Sequence, residues 1–418
     1  MFASLHLHNY RAFFFGAIVS NVGTWMFRVA QDWLVLVILT DRSSSALGLV
    51  TALQFLPIPL LAPFAGALAD RYSKRTLLAW TQAFSGVNAL VLWALVASGR
   101  VELWMVYLSA TVGGMVVAFD NPARQAFVSE MVPNRLLPNA VGLNATTFNG
   151  ARLVGPGVAG LIIGAWGVAP AFGINALSFG AVLIALWVMR PDELTPAPRG
   201  RGRGAVREGI AYVRGRPDIM LVLFVIFMLG TFGMNFQISN AVMATRAFGK
   251  GAEEFGLLGS VMAIGTLAAA LIAARRTRPR LRVLLGALAG FAVSSAGLAL
   301  APTYTVYAVL LVPTGLFALT VMTSANSTVQ LGTDPEFRGR VMALYMAIFM
   351  GGTPIGAPVI GWIGDVWGPR WTLWVGAIAC GLAFVVATAY VLRERRLPAQ
   401  VSYTPVDPAL TVDGVDEA

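Results

Sequence analysis

Runs of about 20 apolar residues recur along almost the whole chain. A run of that length crosses the hydrocarbon layer of a bilayer as one helix, with every backbone group satisfied inside the segment. We count about twelve such spans, which reads as a polytopic helical membrane protein. Composition agrees. Hydrophobic residues make up 57% of the 418 and charged residues 12%, against about 25% charged in a soluble domain. The polar surface is too small to cover a water-exposed globule. Glycine and proline within the runs are tolerated in a helical bundle.

The formal net charge of +10 does not indicate a nucleic-acid partner, because the arginines are confined to short loops on alternate sides of the spans. One set of loops holds Arg71, Lys74, Arg75, Arg124, Arg135, Arg275, Arg276, Arg278, Arg280, Arg282, Arg338, Arg340, Arg393, Arg395 and Arg396. The other holds only Arg42, Arg100, Arg246, Lys250 and Arg370. The positive-inside bias makes the first set cytoplasmic, with both termini, in a cell inner (plasma) membrane. The segment Arg190–Pro217 breaks the pattern with a run rich in Pro, Gly and Arg, then a helix-compatible stretch, Ala205–Arg214. It divides the chain into an N-terminal six-helix bundle (1–189), a cytoplasmic linker (190–217), a C-terminal six-helix bundle (218–395) and a tail (396–418) expected to be disordered. The halves read as repeats: Gly155-Pro-Gly lies over Gly356-Ala-Pro, and Trp166-Gly167 over Trp367-Gly368.

An ionisable group within a span is expensive, by about 2.5–3.5 kcal/mol on insertion scales, and calls for a partner and a reason. The first span carries Asn21, Arg28 and Asp32, whose spacings of seven and four residues place them on one helix face. Arg28 and Asp32 are expected to pair along the helix. The fifth span carries Asn144, Asn149 and Arg152. Asp32 is the carboxylate well inside a span, whereas Asp120 and Asp365 lie near span ends. A proton-coupled device needs a group whose proton affinity changes between states, and a carboxylate near arginine does this. The competing reading is an Asp32 that stays ionised and only neutralises Arg28. The seventh span has Asn235, Gln237, Ser239 and Asn240, for neutral hydrogen bonding or for joining helices. Trp25, Trp33, Phe55, Phe148, Phe232 and Phe236, with Gln54, are candidates to line an apolar cavity; the alternative is packing against lipid or neighbouring helices.

No cofactor is expected. Cys380 stands alone within an apolar run, His6 and His8 have no metal-ligand partners nearby, and no phosphate-binding Gly-Lys-Ser loop occurs. No nucleophile–base pair suggests an enzyme.

One loop carries a sharper signal. Gly66-Ala-Leu-Ala-Asp70-Arg71-Tyr-Ser-Lys74-Arg75 follows one span and precedes the next. It resembles the loop signature of the major facilitator superfamily, with Ser73 in place of the usual glycine. The resemblance implies a twelve-helix fold of two pseudo-symmetric six-helix bundles. It implies that the first and fifth helices border one cavity, so that Arg28, Asp32 and Arg152 form a cluster. It also implies a cytoplasmic gate that ties the halves together when the cavity opens outward. In that gate Asp70 faces the start of the eleventh helix near Gly339, Arg340 and Val341, and Arg71 or Arg75 reaches Asp120.

Gly150-Ala-Arg-Leu-Val-Gly155-Pro156-Gly157-Val-Ala-Gly160 in the fifth span resembles the antiporter motif of superfamily exporters. It matches at Gly155, Pro156 and Gly160 and departs from the pattern at Gly157 and Ala159. The implied role is to seal the cavity on one side in one state. Arg28-Val-Ala-Gln31-Asp32-Trp33 and Asp120-Asn-Pro-Ala-Arg124-Gln look like the branch that includes the enterobactin exporter, macrolide efflux proteins and transmembrane secretion effectors. The likeness covers about the first 395 residues. It implies proton-coupled efflux of an amphipathic small molecule (drug, macrolide or siderophore-like) by alternating access. Because Arg28 and Arg152 leave the cluster with excess positive charge, that molecule is expected to be amphipathic or partly anionic. The partners are then the substrate, protons and the bilayer, and the chain is a monomer. An importer or uniporter of a small solute or lipid remains an alternative, as does a non-transporting membrane sensor or anchor.

Overall fold

A computed structural model of the chain describes residues 2–195, 205–275 and 281–394. The basic run 196–204, the arginines at 276, 278 and 280, and the tail lie outside the described residues. Among the described residues, twelve helices are long and apolar enough to cross a membrane. In chain order they are α1 (His8–Leu39), α2 (Ser44–Ala62), α3 (Lys74–Ala97), α4 (Leu103–Met131), α5 (Asn134–Trp166), α6 (Ala169–Val188), α7 (Pro217–Ala247), α8 (Ala252–Ala274), α9 (Leu281–Leu300), α10 (Tyr304–Gly332), α11 (Arg338–Val366) and α12 (Trp371–Arg393). No strand occurs among the described residues.

Local chemistry sets the helix ends. Ser73 caps α3, its side chain accepting from Thr76 N–H at 3.2 Å, so the serine that replaces the usual glycine supplies a helix start. Ser43 and Thr303 do the same for α2 and α10. Gly167 and Gly368 follow α5 and α11 with φ of +80° and +97°. A residue with a Cβ is strained there, which gives the repeated Trp-Gly a physical meaning. The helix of α2 is interrupted at Leu56, before Pro57, which has no N–H to offer, and resumes as Pro57–Arg71. Helix α7 is broken more deeply. A widened turn covers Leu229–Gly233, and the helix restarts at Phe236.

Helix packing repeats between the halves. α1 packs on α5 and α6, α3 on α4 and α6, and α2 on α4. Likewise α9 packs on α10 and α12, α8 on α10, and α7 on α11 and α12. The halves meet along two related seams, α2 with α11 and α5 with α8. A short linker helix, Ala205–Arg214, lies against the start of α11. There Tyr212 stacks on Phe337 with ring centroids 4.6 Å apart, and Glu208 pairs with Arg340 at 3.2 Å. Arg216 donates to Asp218 and to the Gly332 carbonyl at 2.8 and 2.9 Å. The hydrogen bonds that Arg216 donates to Asp218 push the guanidinium pKa up.

Candidate functional site

We call the side carrying the linker helix and the basic loops the near face, and the opposite side the far face. Both seams are tight toward the far face, and glycine is the reason. A methyl group added at Gly48 of α2 would lie 2.5 Å from the Ala357 carbonyl oxygen of α11. One added at Gly160 of α5 would lie 2.7 Å from the Ala252 oxygen of α8. Only bare backbone permits such an approach. Gly157 N–H donates to Ser260 Oγ of α8 at 3.0 Å, so the glycine that departs from the antiporter pattern sits at a helix-to-helix hydrogen bond. Gly155 packs on Trp25 of α1, where an added methyl would come within 2.6 Å of Trp25 Cβ. Pro156 and Gly160 face Gly256 and Gly259 of α8.

One heptad nearer the near face, on the same helix sides, the seams are apart. Gly150 lies seven residues before Gly157, and Gly351 seven before Pro358. Neither has any neighbouring atom within 4 Å of where a Cβ would be. Gly66, Gly142 and Gly339 are equally clear. The two bundles therefore touch in their far halves and diverge toward the near face.

A polar latch holds the far end of the α2–α11 seam. Asp365, at the end of α11, accepts from Ser44 N–H at 2.8 Å, Ser45 N–H at 2.9 Å and Ser43 Oγ at 3.0 Å. An anion at a helix N-terminus is favoured by free N–H groups and by the dipole. Arg246 of α7 closes the set with a 2.9 Å bond to Asp365, and Arg42 donates to the Thr245 carbonyl at 3.3 Å. Sequence reading left Asp365 and Arg246 as span-end and loop charges. Their i+119 separation gives no local signal. Asp365→Asn is expected to part the far face by removing a charge-assisted set worth about 1.5–3 kcal/mol. Spin labels at Asp41 and Lys250 should then report a longer distance than in the parent protein.

At the centre, Asp32 is 1% exposed and accepts from Gln237 Nε2 of α7 at 2.8 Å. The expected Arg28–Asp32 pair does not form, since no nitrogen of Arg28 comes within 4.0 Å of an Asp32 oxygen. Arg28 turns instead onto aromatic faces. Its guanidinium carbon lies 5.0 Å from the Trp25 ring centroid and 6.0 Å from that of Phe55. Arg152 lies over the same Trp25 ring at 5.6 Å. Phe148, half exposed, meets Trp25 edge-on at 5.8 Å. Four buried polar atoms on α1 and α7 have no hydrogen-bond partner: Arg28 Nε, Gln31 Oε1, Thr231 Oγ1 and Asn235 Oδ1.

Other expected lining residues fall elsewhere. Phe236 is packed edge-on against Phe291 of α9, and Asn240 accepts from Tyr307 OH at 2.7 Å, so both belong to the interior of the second bundle. Asn235 donates to the Thr231 carbonyl of its own helix, and Asn149 to Ala145. Trp33 stacks on Phe255 of α8 at the far seam. The backbone of Gln54 receives α4 at Gly114. Asn21, Asn144 and Phe232 are partly exposed.

The near-face gate residues are apart in this structure. Arg75 Nε donates to the Leu186 carbonyl at the end of α6 at 2.9 Å, and Arg71 lies over its neighbour Tyr72. Asp120 is held by Thr81 Oγ1, Gln82 Nε2 and Arg124 Nε at 2.7, 2.7 and 2.8 Å. The reach of Arg71 or Arg75 to Asp120, expected when the cavity opens outward, is not made in this near-face-open arrangement. Arg124 lies one helical turn away from Asp120 and takes it first. The helix also runs on past Asp120 to Met131. Arg340 is engaged by Glu208. The side chain of Asp70 lies outside the described residues.

A family model described as transmembrane secretion effector matches residues 1–415. The chain belongs to that family. It is a membrane transporter of the major facilitator type, and not an enzyme. Among curated relatives, the staphyloferrin A transporter of Staphylococcus aureus is 25% identical, covering 85% of this chain and 89% of its own length. The multidrug efflux pump Tap of Mycolicibacterium fortuitum is 25% identical, with 92% and 95% covered. The enterobactin exporter EntS of Shigella boydii is 23% identical, with 94% and 95% covered. A solved bacterial homologue of the human lysosomal transporter Spinster, described as inward-facing and unoccupied, superposes with a TM-score of 0.73. It is 14% identical and covers 94% of this chain and 99% of its own. The chain thus has the twelve-helix fold expected from its loop signature.

Proposed function

We propose that the protein is a secondary active exporter, driven by the inward proton gradient, that moves an amphipathic small molecule by alternating access. The observation that carries the reading is the hydrogen bond between Asp32 on α1 and Gln237 on α7. It joins the two halves at the level where the seams begin to part. When the far face opens, α1 and α7 separate, that bond is lost, and the carboxylate is rehydrated beside Arg28. Changes of solvation and partner are what move a carboxylate between protonated and ionised forms.

The basic loops make the near face cytoplasmic, with both termini, in the inner (plasma) membrane. The divergence of the bundles toward that face then suits loading from the cytoplasm. Residues 1–189 and 218–395 act as the two rocking bodies, 190–217 as their linker, and the chain works as a monomer. On this reading Gly66, Asp70, Arg71 and Gly339 come together only when the near face closes. The seam of Pro156, Gly157 and Gly160 seals the far face when the near face is open, while Gly150 stands clear and Gly155 seats α5 on α1 within the first bundle. The names of the Tap and EntS relatives, efflux pump and exporter, support the outward direction.

The test is uptake by inside-out vesicles carrying the purified protein, with a panel of siderophores, macrolides and aryl carboxylates. At least one member should accumulate against its own gradient only when the lumen is acid. Accumulation that ignores the imposed pH difference rules out proton coupling.

A further inference from the structure

Two guanidinium groups converge on one indole at the place where the bundles part. Arg28 and Arg152 lie 5.0 and 5.6 Å from the Trp25 centroid, so the two charges are within about 11 Å of each other. Neither makes a hydrogen bond or an ion pair among the described residues, and Arg28 Nε is buried without a partner. The one acid of the cluster, Asp32, takes its direct hydrogen bond from Gln237, and its single charge can balance only one of the two guanidinium groups. Two like charges left unpaired inside a membrane protein are costly, and stacking on an aromatic face offsets only part of that cost.

Resting on the exporter reading above, we infer that the transported molecule carries a planar oxyanion, a carboxylate or acidic phenolate, that docks between Arg28 and Arg152 beside Trp25. The chemistry of each wall agrees. A guanidinium offers a flat fork of donors that matches a carboxylate with two parallel bonds, and it is weakly hydrated, so it gives up water readily. Trp25, Phe55 and Phe148 supply flat apolar surface for a ring attached to that anion. Across the site, Gln237 adds a neutral amide and no acid. A cationic ligand would meet two guanidinium charges against the one Asp32 carboxylate, a cluster that keeps net positive charge. The chamber therefore selects against cations of the same size and shape.

The experiment uses the full chain in lipid nanodiscs and two xanthene dyes of matched shape, fluorescein as the anion and rhodamine 123 as the cation, with binding read by fluorescence anisotropy at pH 8. Fluorescein should bind at least about tenfold more tightly than rhodamine 123. Arg28→Gln and Arg152→Gln should each weaken fluorescein about ten- to hundredfold, the loss of one charge-assisted contact, and leave rhodamine 123 no weaker. Arg28→Lys keeps the charge without the fork and should fall between. Variants are compared only as monodisperse protein.

Rhodamine 123 binding as tightly as fluorescein overturns the inference. So does the absence of saturable fluorescein binding, or unchanged fluorescein affinity in both glutamine variants. The two readings fail separately. Proton-driven movement of rhodamine 123 would sink the anion site and keep the exporter. Saturable fluorescein binding in vesicles that never move any ligand would do the reverse.

Discussion

Vesicles carrying Asp32→Asn are expected to bind ligand within about twofold of the parent protein yet to accumulate none against its gradient. Asparagine keeps the size of aspartate and a carbonyl that can accept from Gln237, so the Asp32–Gln237 contact at 2.8 Å has a substitute. It has no proton to exchange. The accumulation ratio should fall to one, and the remaining downhill exchange should lose its dependence on the pH difference. Ligand-dependent melting shifts should persist, since binding to the folded state alone moves them. Parent-like accumulation by Asp32→Asn would remove this carboxylate from the coupling step. Gln237→Leu separates the two parts of the idea. It strips the acceptor of its donor across the halves but leaves the acid, so coupling should weaken yet persist through the change in solvation, while the far-face-closed state loses stability.

The second large effect is expected at the glycine seams. Gly48→Val and Gly160→Val each place a branched side chain where even one methyl would meet a carbonyl oxygen at 2.5 or 2.7 Å. Overpacking of this kind costs about 1–3 kcal/mol. Placed on the far seam, it acts only on the closed arrangement, and 2 kcal/mol shifts a two-state balance by about thirtyfold. Transport should fall at least about tenfold, and maleimide labelling of cysteines introduced along the far seam should rise. Background labelling is low because Cys380, the lone cysteine, is fully buried. Gly265→Val is the control. Its new side chain would run into the Val312 carbonyl oxygen of α10, inside one bundle. That change should lower the melting temperature rather than redistribute the two states. If Gly48→Val and Gly160→Val also do no more than lower the melting temperature, the seams are structural contacts and not part of a gate.

The fold was legible because bilayer thickness is a physical ruler. Helix count, the break after α6 and the repeated Trp-Gly all follow from run lengths and turn chemistry. The central charges were legible for a related reason, since Arg28, Asp32 and Arg152 stand out against apolar neighbours. Their partners were not. The seven- and four-residue spacings brought Arg28 and Asp32 onto one face, but a single helix does not say what lies opposite. Gln237 is 205 residues away and outcompetes Arg28 for the carboxylate. In α7 the helical period itself misleads. The widened turn at Leu229–Gly233 and the restart at Phe236 shift the phase, so Phe236 and Asn240 point into the bundle rather than toward α1. The length of α4 was less legible, because the helix outlasts its apolar run and carries polar residues through further turns beyond Asp120.

The duplicated halves have kept unequal clasps. In the repeat, Gly164 of α5 occupies the register of Asp365 in α11. There the acid comes from the opposite partner, Glu253 of α8, whose Oε1 would lie 2.6 Å from a methyl at Gly164. One side of the doorway is thus fastened by ions and the other by close backbone contact. Molar sodium chloride outside, with a screening length of about 3 Å, slackens only the first. On the exporter reading, the far face should then open lopsidedly, with cargo leaving beside α2 and α11 rather than along the molecular axis.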